Sequence, residues 1–174
     1  MTSALERLKD RPPPTPDDLL AIYLNDHLAG SMTAIELIKR ASGEHAGTPL
    51  GAFLNGLAAE IEADRQALRA VMAHIGAREH PVKLALAWAA EKAGRLKLNG
   101  TLVRQSPLTP LLELEALETG IGGKLQLWRT LTALDRDIGP TRERLPELIG
   151  RAEDQLERVE EQRIASARDA LASS

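Results

Sequence analysis

Cysteine is absent from this chain. That single absence excludes disulfides, thiolate nucleophiles and zinc–thiolate sites, and makes a reducing compartment, the cytoplasm, the expected location. Aromatic residues are almost as scarce, with Tyr23, Phe53, Trp88 and Trp128 making up 2% of the sequence. Leu and Ala must therefore carry the core, which is the composition of closely packed helices and not of sheets. No run approaches the roughly 18 consecutive apolar residues that a membrane span needs. No block of one charge sign stands out either. The 22 basic and 25 acidic residues are interleaved and leave a net charge of -3. Neither a nucleic-acid nor a membrane partner is expected on that balance. The opening MTSALERLKDRPPP has no apolar h-region, so no secretory signal is expected.

What is present is enough for one soluble domain: 174 residues, 43% hydrophobic and 27% charged, long enough to bury a core. Residues 1–16 read as a short helix, Ser3 to Asp10, followed by a stiff link through Pro12, Pro13, Pro14 and Pro16. Residues 17–174 read as a single helical domain. Thr15-Pro16-Asp17-Asp18 is a strong helix start, with a hydroxyl cap, proline in the first turn and acids behind it. The first long helix runs to about Ser42, on the stripe Leu20, Leu24, His27, Ser31, Ala34, Ile38. Thr48-Pro49 opens a second that reaches about Ile75, on Leu50, Leu54, Leu57, Ile61, Asp64, Leu68, Val71 and Ile75. A third is predicted from Pro81 to Asn99-Gly100 and carries Trp88, Glu91 and Arg95. A fourth begins at Ser106-Pro107 or Thr109-Pro110, on Leu111, Leu114, Leu117, Ile121, Leu125, Trp128 and Leu131. Gly120, Gly122 and Gly123 fall inside it, at a cost of roughly 1 kcal/mol each relative to alanine, which predicts a kink, a break or a close helix crossing. A fifth, charged helix runs from Thr141 to about Ala172 on a thin seam, Leu145, Ile149, Ala152, Leu156 and Val159. Short connections between helices favour an all-α, up-and-down antiparallel bundle: four long core helices plus the charged C-terminal one.

Polar residues interrupt these stripes. Asp64 lies between Ile61 and Leu68, His27 between Leu24 and Ser31, and Glu60 is one turn before Asp64. A buried carboxylate needs a partner or a metal. Two readings follow. In the first, His27, Glu60, Asp64, Glu91 and Glu115 are N and O ligands to iron or manganese in the bundle core. In the second, favoured one, the cluster is a structural network of His27, Asp64, Arg95, Glu118 and Lys124. There Asp64 pairs with His27 or Arg95, and Glu115 or Glu118 with Lys92, Arg95 or Lys124. His45 and His80 fall in turns and are expected to be solvated. His74 complements the dipole of its helix end.

Catalytic signatures are missing. No Gly-x-Ser-x-Gly elbow is present, and the helical spacing of His27 and Ser31 is common by chance. Gly120-Ile121-Gly122-Gly123-Lys124 is no phosphate loop, because Leu125 replaces the required Ser or Thr and no strand precedes it.

In helix number, helix length and inward placement of acids, residues 17–137 resemble the ferritin-like four-helix bundles. Tyr23-Leu24-Asn25-Asp26-His27-Leu28 and Arg95-Leu96-Lys97-Leu98-Asn99-Gly100 are similar to segments of a divergent bacterial branch of that superfamily. The family's Glu-x-x-His motif is missing, since Leu24, Ser42, Val71 and Ala77 stand three residues before His27, His45, His74 and His80. The resemblance implies a shared fold without the family's metal chemistry. The functional expectation is a non-catalytic protein acting by binding or assembly, as a homodimer, with no cofactor. A divergent iron or manganese protein and a small-molecule pocket between helices, lined by Trp88 and Trp128, are the alternatives.

Overall fold

Threonine–proline pairs set where the first two helices begin. In the computed structural model, which describes residues 13–80 and 106–172, helix α1 spans Pro16–Glu44. Thr15 Oγ1 accepts from the Asp18 N–H at 3.2 Å, and the Asp18 carboxylate accepts the Thr15 N–H at 2.9 Å. This reciprocal capping box satisfies two otherwise orphan donors. Helix α2 spans Pro49–His74, with Thr48 Oγ1 accepting from the Gly51 N–H at 3.2 Å. Gly51 is required there, because a Cβ would stand 2.2 Å from the His45 carbonyl oxygen. At the other end Gly76 takes φ +70°. Its N–H reaches the Ala73 carbonyl and the Ala77 N–H the Met72 carbonyl, at 3.2 and 2.9 Å, the two bonds of a Schellman cap.

Helix α3 spans Thr109–Ala133 and has no side-chain cap, since Leu108 occupies that position. The expected hydroxyl cap is displaced into the lead-in turn, where Ser106 Oγ takes the Leu108 N–H at 3.3 Å. Helix α4 spans Thr141–Leu171 and follows Gly139, which has φ +72°. Among the described residues there is no strand, and no helix is long and apolar enough to cross a membrane. The helices expected at residues 3–10 and 81–100, with Trp88, Glu91, Lys92 and Arg95, lie outside the described residues.

Helix α1 packs along α2 and α3 along α4, while α1 also touches α3 and α2 touches α4. Leu24, Ile38, Leu54, Leu57, Leu117, Trp128 and Leu131 share the resulting helical-bundle core with Leu145 and Leu148. The α2 and α3 stripes are buried largely as their spacing predicts. Two others are rotated. On α1, Leu28 and Ile35 are buried, and His27, Ser31 and Ala34 are only half-buried. On α4 the seam is Thr141, Leu145, Leu148, Ala152, Gln155 and Val159, with Ile149 and Leu156 at its margin. The reason is Gln155, a polar residue that reads as surface but is fully buried.

Two of the three outcomes expected of the α3 glycines, a break and a close crossing, are not found. The helix runs through them without a break. They do not serve a close crossing either, because a Cβ added at Gly120, Gly122 or Gly123 meets no atom within 4 Å.

Candidate functional site

Asp64 sits mid-way along the buried face of α2 and is 1% exposed. A carboxylate that deep must be compensated from neighbouring helices. Lys124 of α3 donates to Asp64 Oδ2 at 2.5 Å, and Arg151 of α4 stands 3.2 Å from Oδ1. The Arg151 contact is ionic but not aligned as a hydrogen bond, so Oδ1 has no hydrogen-bond partner. Gln155 links the charges. Its Oε1 accepts from Lys124, and its Nε2 donates to Glu60 at 3.0 Å and more weakly to Asp64 at 3.4 Å. Glu60 is in turn gripped by the Arg158 fork at 3.2 and 2.7 Å, the bidentate geometry that makes arginine the stronger partner for a carboxylate. Toward solvent, Glu147 pairs with Arg151 and Asp154 with Arg158.

These neighbours set the protonation equilibria. Burial pushes the Lys124 ammonium below its usual value, and the charge and hydrogen bond of Asp64 push back without cancelling the effect. Burial works to raise Glu60, but hydrogen bonds from Arg158 and Gln155 and the nearby positive charges prevail and hold it below the usual carboxylate range. Burial also lowers His27, against the opposing charge of Asp26.

Against Asp64 and Lys124 lies a cavity of about 150 Å³ between α1, α2 and α3. Its apolar wall includes Ile61, Leu68, Leu127 and Trp128, and its polar side adds His27 and Arg65. Gly30, Gly120 and Gly123 border it, each with no atom within 4 Å of where a Cβ would stand. The missing side chains leave the space open. Trp128 is 1% exposed, yet its Nε1 has no hydrogen-bond partner, and neither has Arg65 Nε. A buried donor left unpaired costs about 1–3 kcal/mol, so both are unusual for a settled core.

The structure brings together some of the residues singled out by sequence and separates others. Glu60, Asp64 and Lys124 belong to one network, and His27 borders the same cavity. Asp64 does not pair with His27, whose ring instead meets Tyr23 edge-on with centroids 4.6 Å apart. Glu115 and Glu118 face Arg163 at 3.9 and 3.5 Å, not Lys124, because Lys124 is turned inward to Asp64. Glu91 and Arg95 lie outside the described residues. Among the described residues, no three His, Cys, Asp or Glu side chains are grouped so as to hold a metal ion. Ser31 donates its hydroxyl proton to the Leu28 carbonyl at 2.6 Å and not to His27. His45, expected in solvent, is half-buried at the C-cap of α1. His74 pairs with Asp137 at 3.1 Å.

Sequence reasoning missed Arg151, Gln155 and Arg158. They follow one another at spacings of four and three, the helical period itself, which was the available signal. No family model, curated protein or solved structure matches this chain.

Proposed function

We propose that this protein is a non-catalytic small-molecule-binding bundle, with the inter-helical cavity as its site and the buried charge network as a structural wall. One observation carries the reading: a cavity of about 150 Å³ with a largely apolar wall, bordered by three glycines whose missing side chains leave it open. Apolar pockets with a few fixed polar groups are the usual form of small-ligand sites between bundle helices. The network serves as wall and not as reactive centre, because each inner carboxylate is already engaged by cations and by Gln155.

The proposed layout is antiparallel, with α1 running against α3. Tyr23 near the start of α1 donates to Thr130 near the end of α3, while Arg40 near the end of α1 meets Glu113 near the start of α3. Kinship with the ferritin-like bundles would fit that course. Assembly is a second reading, supported by Leu19 and Ile22, which share one face of α1 and are each 53% exposed. It predicts a dimer in light scattering that Leu19→Arg dissociates.

The binding reading is tested by saturation-transfer NMR with a mixture of six- to nine-atom fragments. Signal in the native protein that vanishes in Gly123→Leu, where the new side chain fills the cavity, supports it. Equal signals from both proteins, or none from either, reject it.

A further inference from the structure

We infer that the cavity takes a compact, uncharged apolar molecule bearing one hydroxyl group, which hydrogen-bonds to the His27 imidazole. This inference rests on the binding reading above and adds the ligand's chemistry. Size comes first. A cavity of about 150 Å³ is comparable with one that admits a benzene ring, so the occupant has one ring or a short branched chain. Charge comes second. Lys124 and Arg65 are the cations of the lining and Asp64 its anion. Each already has an ionic partner: Lys124 pairs with Asp64 at 2.5 Å, Arg65 with Glu62 at 2.5 Å, and Asp64 also with Arg151 at 3.2 Å. A charged ligand would have to displace one of these partners or enter unpaired, and either course is costly away from water. An uncharged molecule meets the wall as it stands.

Polarity comes third. The remaining polar side chains of the lining are His27, Ser31, Thr119 and Trp128. Ser31 gives its proton to the Leu28 carbonyl and Thr119 to the Glu115 carbonyl. Trp128 Nε1 is sealed off in the packing, as are Arg65 Nε and Asp64 Oδ1. His27 differs from all of them. Its ring touches Tyr23 edge-on, but among the described residues none hydrogen-bonds to it, and neither ring nitrogen is sealed off. The nitrogens therefore keep accessible surface, on a side chain that lines the cavity. Burial holds the imidazole below its usual pKa, so at neutral pH the ring is uncharged, with one N–H donor and one acceptor nitrogen. A hydroxyl both donates and accepts, so it pairs with whichever nitrogen it meets. A carbonyl answers only the N–H, and an alkyl amine would carry a charge. The apolar body then packs against Ile61, Leu68 and Leu127, with Gly30, Gly120 and Gly123 leaving it room.

The test titrates phenol, toluene, benzoate and benzylamine into the full chain at neutral pH. Affinities are read by saturation-transfer NMR, and the place of binding by the imidazole Cε1–H resonance of His27, identified among the four histidines by its absence from His27→Gln. Phenol is expected to shift that resonance saturably, and benzoate and benzylamine to bind at least about tenfold more weakly than phenol. His27→Phe keeps the aromatic contact with Tyr23 and loses both nitrogens. There the phenol-to-toluene affinity ratio should fall about three- to tenfold, the effect of one hydrogen bond between uncharged groups. The ratio should stay near its native value in His27→Gln, whose amide again donates and accepts. Should His27→Phe fail to fold, His27→Leu makes the same comparison. A ratio unmoved by loss of the imidazole, an equal fall in His27→Gln, or a charged probe bound as tightly as phenol overturns the hydroxyl assignment and leaves the binding reading intact. No binding of any probe overturns both.

Discussion

Replacing Asp64 with alanine removes a buried carboxylate on which two cations, Lys124 and Arg151, converge. Breaking a buried pair by deleting one partner typically costs about 3–5 kcal/mol, because the other charge is stranded. Here both stranded groups have some relief. Lys124 keeps Gln155 Oε1 and is 14% exposed, and Arg151 keeps Glu147 and is 22% exposed. The lower end of the range is expected, about 3 kcal/mol, or about 6–12 °C in melting temperature for a chain of this length. The loss should depend on pH. The folded-state Lys124 pKa already lies below its unfolded value, and Asp64 is the main group holding it up, so its removal lowers the pKa further. Between the two values the unfolded chain binds more protons, and stability there rises with pH. The deficit of Asp64→Ala should therefore be larger at neutral pH and shrink as the pH climbs toward 10. The double variant Asp64→Leu/Lys124→Met, which removes the pair together, should recover to within about 1 kcal/mol of the native protein. Urea unfolding at neutral and alkaline pH reads all three quantities. A deficit under about 1 kcal/mol, the level of an exposed pair, a deficit indifferent to pH, or a double variant worse than Asp64→Ala would refute the account.

The glycines give predictions of opposite sign on different helices. Gly122→Ala and Gly150→Ala add a methyl into open space and should each raise stability by about 0.5–1 kcal/mol, whereas Gly51→Ala, aimed at the His45 carbonyl, should lower the melting temperature clearly. Glu60 is held below its ordinary pKa, so its stabilising contribution is present above the unfolded value and is lost as pH falls through the folded one. Melting temperatures of Glu60→Gln and native protein should converge on acidification below about pH 4.5, near the unfolded glutamate value. For His27, lowered by burial, folding excludes a proton that the unfolded chain accepts, so stability should decline as pH drops below about 6.5. His27→Phe should remove that component of the acid slope.

The fold was legible where apolar spacing and capping chemistry agreed. Thr15-Pro16 and Thr48-Pro49 place two helix starts to the residue, and Ile75-Gly76 places an end. The α2 seam could be read through Asp64 because leucine and isoleucine flank it on both sides, and a carboxylate there demanded partners. Its partners could not be read. Arg151 and Arg158 stand in a run of alternating charges whose ordinary fate is a solvated face, and Gln155 turned the reading toward Leu156. Periodicity scores a residue by its own polarity, whereas burial of Gln155 depends on acceptors and donors supplied by α2 and α3. The glycines failed for a related reason. A glycine in a helix signals absent volume, and sequence cannot say whether a neighbour fills it or nothing does.

The two features that sequence judged least well lie against the same space, and both depart from what a stable bundle requires. Each glycine on α3 costs roughly 1 kcal/mol in helix stability, and the open surroundings of Gly120 and Gly123 return no packing for it. The charges beside them are equally dispensable for folding in principle, since a buried ion pair can often be replaced by apolar residues at no loss. Unpaired N–H groups at Trp128 and Arg65 add a third cost. A defect in one element would be an accident of packing. Glycines on α1 and α3, cations on α2 and α3 and an orphan indole all border a single cavity, and local rules broken together at one place are what a site requires. If binding is what they serve, filling the cavity must trade in opposite directions. Gly123→Leu should hold or raise the melting temperature of the empty protein and remove the stabilisation that a cavity-binding fragment confers on the native one. A variant that loses stability while still gaining from the fragment would mean that the glycines and the ligand space are unrelated.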